Sequence, residues 1–111
     1  MAKSIVFRAD NYYEAIIQLR PYDEEIFDYI EAEMKKRKEA VFVTRIEEQK
    51  TGIDIYLTSQ KFARTLGPKM KKRFRGWELK MTRKIHTRDK QRSRDVYRAT
   101  ILFKKLQKKD E

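Results

Sequence analysis

The chain has no cysteine. That excludes a disulfide framework and any cysteine-ligated zinc or iron–sulfur site, and it fits a reducing, cytoplasmic setting. Glycine occurs three times and proline twice, so there is no glycine-rich loop of the kind that cradles phosphates. The single histidine, His86, stands at the end of a candidate strand, where it reads as a surface residue rather than a catalytic base. No serine or threonine has a recognisable base partner. No carboxylate spacing suggests a metal site. Glu47 and Glu48 are sequence neighbours, so in a strand they point to opposite faces and do not form a catalytic pair by that spacing. No apolar run approaches the roughly 20 residues of a membrane span, and residues 1–10 lack the apolar stretch of a signal peptide. These absences lead to one expectation: no enzyme activity, no cofactor, no metal, no small-molecule substrate and no membrane.

What is abundant is charge. Of 111 residues, 41% are charged and 40% hydrophobic, and the net charge is +11. The length predicts one domain over residues 1–111, with 1–10 as a loose leader or short strand and the tail from Lys104 as a frayed basic fringe. The charge is unevenly placed. Residues 1–60 hold 9 Lys+Arg against 12 Asp+Glu, a net −3, and residues 61–111 hold 19 against 5, a net +14. So steep a division is the electrostatic footprint of a polyanion partner, most often nucleic acid.

The hydrophobic pattern predicts the elements in order. Residues 12–20 read as a strand with Tyr13, Ala15, Ile17 and Leu19 inward, broken in its alternation by Ile16 and ended by Pro21. Residues 22–39 read as a helix with Asp23 as N-cap and Ile26, Phe27, Ile30 and Met34 as its buried stripe. Its basic end, 35–38, suits the helix dipole. Residues 40–49 and 53–58 read as strands joined by Lys50-Thr51-Gly52, where glycine supplies positive φ. Ser59 caps a second helix to Phe74, with Phe62, Leu66, Met70 and Phe74 on one face. Gly67-Pro68 predicts a kink or two short helices there, and Gly76 a stop. Residues 77–86 form a strand with Trp77, Leu79, Met81 and Ile85 inward, 87–95 a polar hairpin tip, and 96–103 a returning strand with Tyr97, Ala99, Ile101 and Phe103 inward. The fold class is α+β: a two-layer sandwich with a mainly antiparallel sheet of about five strands and two helices on one face, β-α-β-β-α-β-β on a ferredoxin-like plan.

Two basic surfaces point to RNA. The second helix displays Arg64, Lys69, Lys71, Lys72 and Arg73, with Arg75 just beyond. The hairpin tip displays Arg88, Lys90, Arg92 and Arg94. A helix end and a protruding loop suit phosphate contacts. Tyr56, Lys80, Lys84 and Arg98 lie on the outer sheet face, where Tyr56 either stacks a base or packs against the N-terminal segment. No RNA-recognition-motif aromatics, helix-turn-helix or homeodomain pattern occurs, which argues against sequence-specific DNA reading. The alternative is a protein-interaction adaptor that docks on an acidic partner.

Several stretches resemble the nonsense-mediated-decay-three family: Tyr-Tyr-Glu-Ala-Ile-Ile-Gln-Leu-Arg at 12–20, Thr-Gly-Ile-Asp-Ile-Tyr-Leu-Thr-Ser-Gln-Lys-Phe-Ala-Arg at 51–64, Lys-Lys-Arg-Phe at 71–74, and Arg-Asp at 88–89 followed by Val-Tyr-Arg-Ala-Thr-Ile-Leu at 96–102. This family comprises the large-ribosomal-subunit export adaptor of eukaryotes and its archaeal relatives. The resemblance spans roughly residues 12–103, in the family's order. It implies association with the large ribosomal subunit in biogenesis or quality control, with rRNA and ribosomal proteins as partners, and it implies no catalytic residues. The chain departs from the family in lacking its paired CxxC zinc motifs and the nuclear export signals of the eukaryotic adaptor, so export is not carried over. The chain reads as an excised middle domain or a small stand-alone paralogue.

Overall fold

The computed structural model describes residues 12–37, 41–89 and 94–106, with the side chains of 86–89 and 94–96 left out of that description. The expectations for residues 1–10 and for His86 as a surface side chain lie outside it. Seven elements follow one another: β1 (Ala15–Arg20), α1 (Glu24–Lys35), β2 (Val43–Gln49), β3 (Gly52–Leu57), α2 (Gln60–Arg73), β4 (Trp77–Asp89) and β5 (Arg94–Lys105). The five strands form one sheet in the order β2-β3-β1-β5-β4. All neighbouring pairs are antiparallel except β1 with β5. By these pairings β3 and β4 run in the same direction, and α2 crosses over both β1 and β5 to connect them. The plan is thus the expected one, with β5 returned by a hairpin into the position between β1 and β4.

Both helices lie on one face and share one core. Ala15, Ile17, Leu19, Ile55, Leu57, Ala99, Ile101 and Phe103 alternate inward from three central strands, and Ile26, Ile30, Phe62, Leu66 and Met70 meet them from the helices. Each of the larger side chains among them contributes roughly 1.5–3 kcal/mol by leaving water. Trp77 stacks on Phe103, rings 5.1 Å apart and 7° from parallel. The helix starts are capped as the sequence predicts: the Asp23 carboxylate accepts from Ile26 N–H at 3.1 Å and the Ser59 hydroxyl from Phe62 N–H at 3.1 Å.

Five features differ from the sequence reading. First, α2 is continuous through Gly67 and Pro68. Pro68 faces solvent, so water can serve the Arg64 carbonyl that lacks a donor. Gly67 faces the sheet: a Cβ there would stand 3.0 Å from Met81 Sδ and 3.2 Å from Leu79 Cδ1. Second, Tyr13 precedes the first strand instead of lying within it. Its ring meets Tyr56 edge-on at 4.9 Å on the helix-free face, so packing, not base stacking, is the role of Tyr56. Ile16, which breaks the alternation, is half-buried on that same face and pairs with Tyr56 and Thr100. Third, the 87–95 tip is shorter than expected, because strand pairing continues outward. Arg88 is opposite Asp95 and Asp89 opposite Arg94 in the backbone register. Fourth, Lys104 and Lys105 belong to β5 rather than to a frayed fringe, and Leu106 N–H donates to the Gly76 carbonyl at 2.8 Å. Fifth, α1 and β2 are shorter than 22–39 and 40–49, α1 ending at Lys35 and β2 starting at Val43.

At the β2–β3 turn, Gly52 is required by a close approach: a Cβ there would lie 1.9 Å from the Leu19 carbonyl oxygen.

Candidate nucleic-acid interface

The division of charge along the chain becomes a division across the sheet. α1, β2 and β3 come from the net-acidic half, while β4, β5 and nearly all of α2 come from the net-basic half. Because β5 and β4 are adjacent at one edge and α2 covers them, the basic half gathers on that side of the molecule.

The sequence-predicted cations fall into three places on this side. Arg64, Lys69, Lys71, Lys72, Arg73 and Arg75 are exposed in the helix layer. Two of them turn toward α1: Lys69 donates to Glu33 at 3.2 Å, and the Arg73 guanidinium lies 5.3 Å from the Tyr29 ring centroid. Lys71 donates to the Trp77 carbonyl at 3.2 Å, which ties the helix end to the start of β4.

Lys80, Lys84 and Arg98 point from the opposite, helix-free face. Lys80 and Lys84 are exposed. Arg98 is half-buried and committed: Nε and Nη1 donate to the Tyr13 carbonyl and hydroxyl, each at 3.2 Å, and the guanidinium sits 3.9 Å from the Tyr13 ring centroid. Beside it, Arg45 covers Tyr56 at 3.9 Å, and the Tyr56 hydroxyl donates to Glu47 at 3.1 Å. Burial pushes the Tyr56 hydroxyl above its ordinary pKa, which keeps it a neutral donor. This tyrosine–arginine cluster is a structural joint between the segment before β1 and the sheet.

The third place is the outer end of the β4–β5 hairpin, where the backbone positions of Arg88 and Arg94 lie. Lys90 and Arg92 lie outside the described residues. Along this hairpin the inward face runs out of helix to cover it. Trp77 is buried, Met81 is 42% exposed and Ile85 is 58% exposed. The ribbon therefore extends beyond the two-layer body. Its helix-side face adds a cation absent from the sequence-based set, Arg83, 4.4 Å from the Tyr97 ring centroid. Lys104 and Lys105 were also missed. They sit opposite Glu78 and Trp77 at the far end of the same ribbon, near the end of α2.

The two predicted centres are not adjacent. The basic end of α2 leads directly into Trp77, whereas the hairpin tip follows Asp89. At about 3.3 Å per residue, about 40 Å of strand separates them. Lys80 and Lys84 lie between, on β4.

Among the described residues no group of three or more His, Asp or Glu side chains converges on a common point that could hold a metal ion, and no helix is long and apolar enough to cross a membrane.

Comparison with known families gives a match over most of the chain. The model of NMD3, second domain, covers residues 12–104, which is most of the chain and all seven elements except the last residue of β5. No curated protein sequence matches the chain.

Proposed function

This chain belongs to the NMD3 family and has a ribosome-associated role at that coarse level, and on that premise we propose that it is a non-catalytic RNA-binding domain of the large ribosomal subunit's biogenesis or quality control. Contacts are to phosphate, from the cations of α2 and of the β4–β5 ribbon, and the RNA follows the β4 edge between them. rRNA is the principal partner, and ribosomal proteins are neighbours in the assembly. The domain acts in the cytoplasm.

The observation that carries this reading is that α2, β5 and β4, the elements drawn from the half of the sequence with net charge +14, lie together on one side of the sheet. Lys80, Lys84, Lys71, Lys72 and Arg75 are all exposed there. Neutralising six phosphates gives a slope of about −4 to −5 in log affinity against log salt.

The test is binding to large-subunit rRNA and cosedimentation with separated subunits, at low and high salt. Salt-sensitive, selective pelleting with the large subunit is expected. Replacing Arg88, Lys90, Arg92 and Arg94 together by Glu abolishes that binding without unfolding the domain; unchanged affinity removes the hairpin end from the site. The adaptor reading has its own support in exposed Met81 and Ile85 on the ribbon. It is favoured over RNA if a partner protein is retained after nuclease treatment and lost on replacing Ile85 by Asp.

A further inference from the structure

A groove with polar walls runs between α1 and α2. Its deeper part, about 220 Å³, is lined by Glu33, Lys36, Arg37, Phe62 and Lys69. It widens into a depression of about 530 Å³ over Tyr29, Lys72 and Arg73. The floor is the carboxylate of Glu33, 7% exposed, which accepts from Lys36 at 2.9 Å and Lys69 at 3.2 Å. One carboxylate thus shares the groove lining with five cations: Lys36 and Arg37, just past the end of α1, and Lys69, Lys72 and Arg73 of α2.

The two arginines mark the ends of the groove. Arg37 lies 5.4 Å from the Phe62 ring centroid and Arg73 5.3 Å from that of Tyr29. Phe62 and Arg73 stand about 16 Å apart along α2. Neither guanidinium forms a salt bridge or donates a hydrogen bond among the described residues. Each is held by an aromatic ring with its N–H donors unspent, and a guanidinium presents those donors as a fork that fits phosphate oxygens two at a time.

We infer that this groove binds the ribose-phosphate backbone of an RNA strand, with Arg37 and Arg73 as the end anchors and Glu33 as the positioning residue that holds Lys36 and Lys69 to its floor. The inference deepens the RNA-binding reading and rests on it. It adds a site off the β4 edge, and it brings in Lys36 and Arg37, which the sequence assigns only to a helix end.

The test uses the whole chain. Affinity for a short single-stranded RNA is measured by fluorescence anisotropy across a salt series, and the arginine Nε–Hε signals are followed by NMR during titration with inorganic tripolyphosphate. Replacing Arg37 and Arg73 together by Ala is expected to lower RNA affinity at least tenfold and to flatten the salt slope by about 1.4, two single-strand phosphates at about 0.7 each. Replacing both by Lys keeps the charge but not the fork, and is expected to recover only part of the affinity. Thermal unfolding of each variant separates lost binding from lost folding. Unchanged affinity and slope in the Ala pair, with the unaltered protein binding RNA normally, overturns the groove. If the unaltered protein binds no RNA at low salt, the RNA reading itself fails, and tripolyphosphate decides the groove. Saturable shifts at Arg37 and Arg73 keep it as an oligophosphate site, and their absence removes it.

Discussion

Lys69 Nζ reaches from α2 across to α1 and donates to Glu33 Oε1 at 3.2 Å, a side-chain hydrogen bond that ties the two helices together over their solvent side. Glu33 is buried while Lys69 and Lys36 keep 54% and 71% of their side-chain surface in water. Solvent therefore screens the cations, and the buried carboxylate carries the larger desolvation cost.

The hydrogen bond from Lys36, followed by that from Lys69, holds the Glu33 carboxyl below its ordinary pKa of 4.5 despite its burial. A depressed folded-state pKa stabilises the native state fully above the unfolded value, and that stability is lost as pH falls through the folded value. Glu33→Gln is expected to cost about 1 kcal/mol at pH 7. The gap between variant and parent narrows below about pH 4.5. Urea unfolding between pH 3 and 7 measures both.

Gly52 tolerates no side chain, because the obstacle to a Cβ is the Leu19 carbonyl oxygen at 1.9 Å, a backbone atom that cannot turn aside. Gly52→Ala is expected to destabilise by more than about 2 kcal/mol. Gly67→Ala is expected to be nearly neutral. Its neighbours are the ends of two flexible side chains, and the roughly 1 kcal/mol gain in helix propensity offsets their displacement. Thermal melts of the two variants make the comparison.

Pro68 interrupts one hydrogen bond of α2 on the exposed side. Pro68→Ala restores that donor and relieves the ring's clash, at the cost of a looser unfolded chain. The net expectation is a gain of about 1–2 kcal/mol, read as a rise of several degrees in Tm. An unchanged or lower Tm shows that the helix has fully adapted to its proline.

Ile101 and Ile85 share one face of the β4–β5 ribbon, yet the first is fully buried and the second is 58% exposed. Ile101→Ala is expected to cost about 3–4 kcal/mol and Ile85→Ala less than about 0.5 kcal/mol. Similar costs at the two positions place a covering element over the ribbon's outer half.

Local chemistry made much of this structure legible in the sequence. The caps Asp23 and Ser59, the helix stripes, the alternation in the central strands and a turn at Lys50-Thr51, which the sequence pattern extends to Gly52, each declare themselves within a few neighbours. Strand order was not legible. Placing β5 parallel to β1 depends on which edges meet, and no local pattern encodes that. The continuity of α2 was hidden because Pro68 reads the same whether it faces water or core. Tyr13 fits the strand pattern by period, but the chain bends at Glu14 and carries the ring to the other face. The candidate site was legible as charge and not as shape. Lys69 and Lys71 look alike in sequence, and one bridges to α1 while the other fastens the helix to β4. The groove between the helices joins residues some 36 positions apart, as Glu33 and Lys69 are, and that separation leaves no trace in a spacing rule.

The separation of charge between the two sides of the sheet has a kinetic consequence. A body negative on one flank and strongly positive on the other carries a large electric dipole, so the field of a polyanion exerts a torque on it before any contact forms. With the proposed RNA as that polyanion, the β4 flank is expected to lead, and fewer encounters are then wasted on wrong orientations. Added salt shortens the reach of that field to about 8 Å at physiological ionic strength. The association rate with RNA is therefore expected to depend on how early the domain turns, and to fall with salt even where the final contacts are the same.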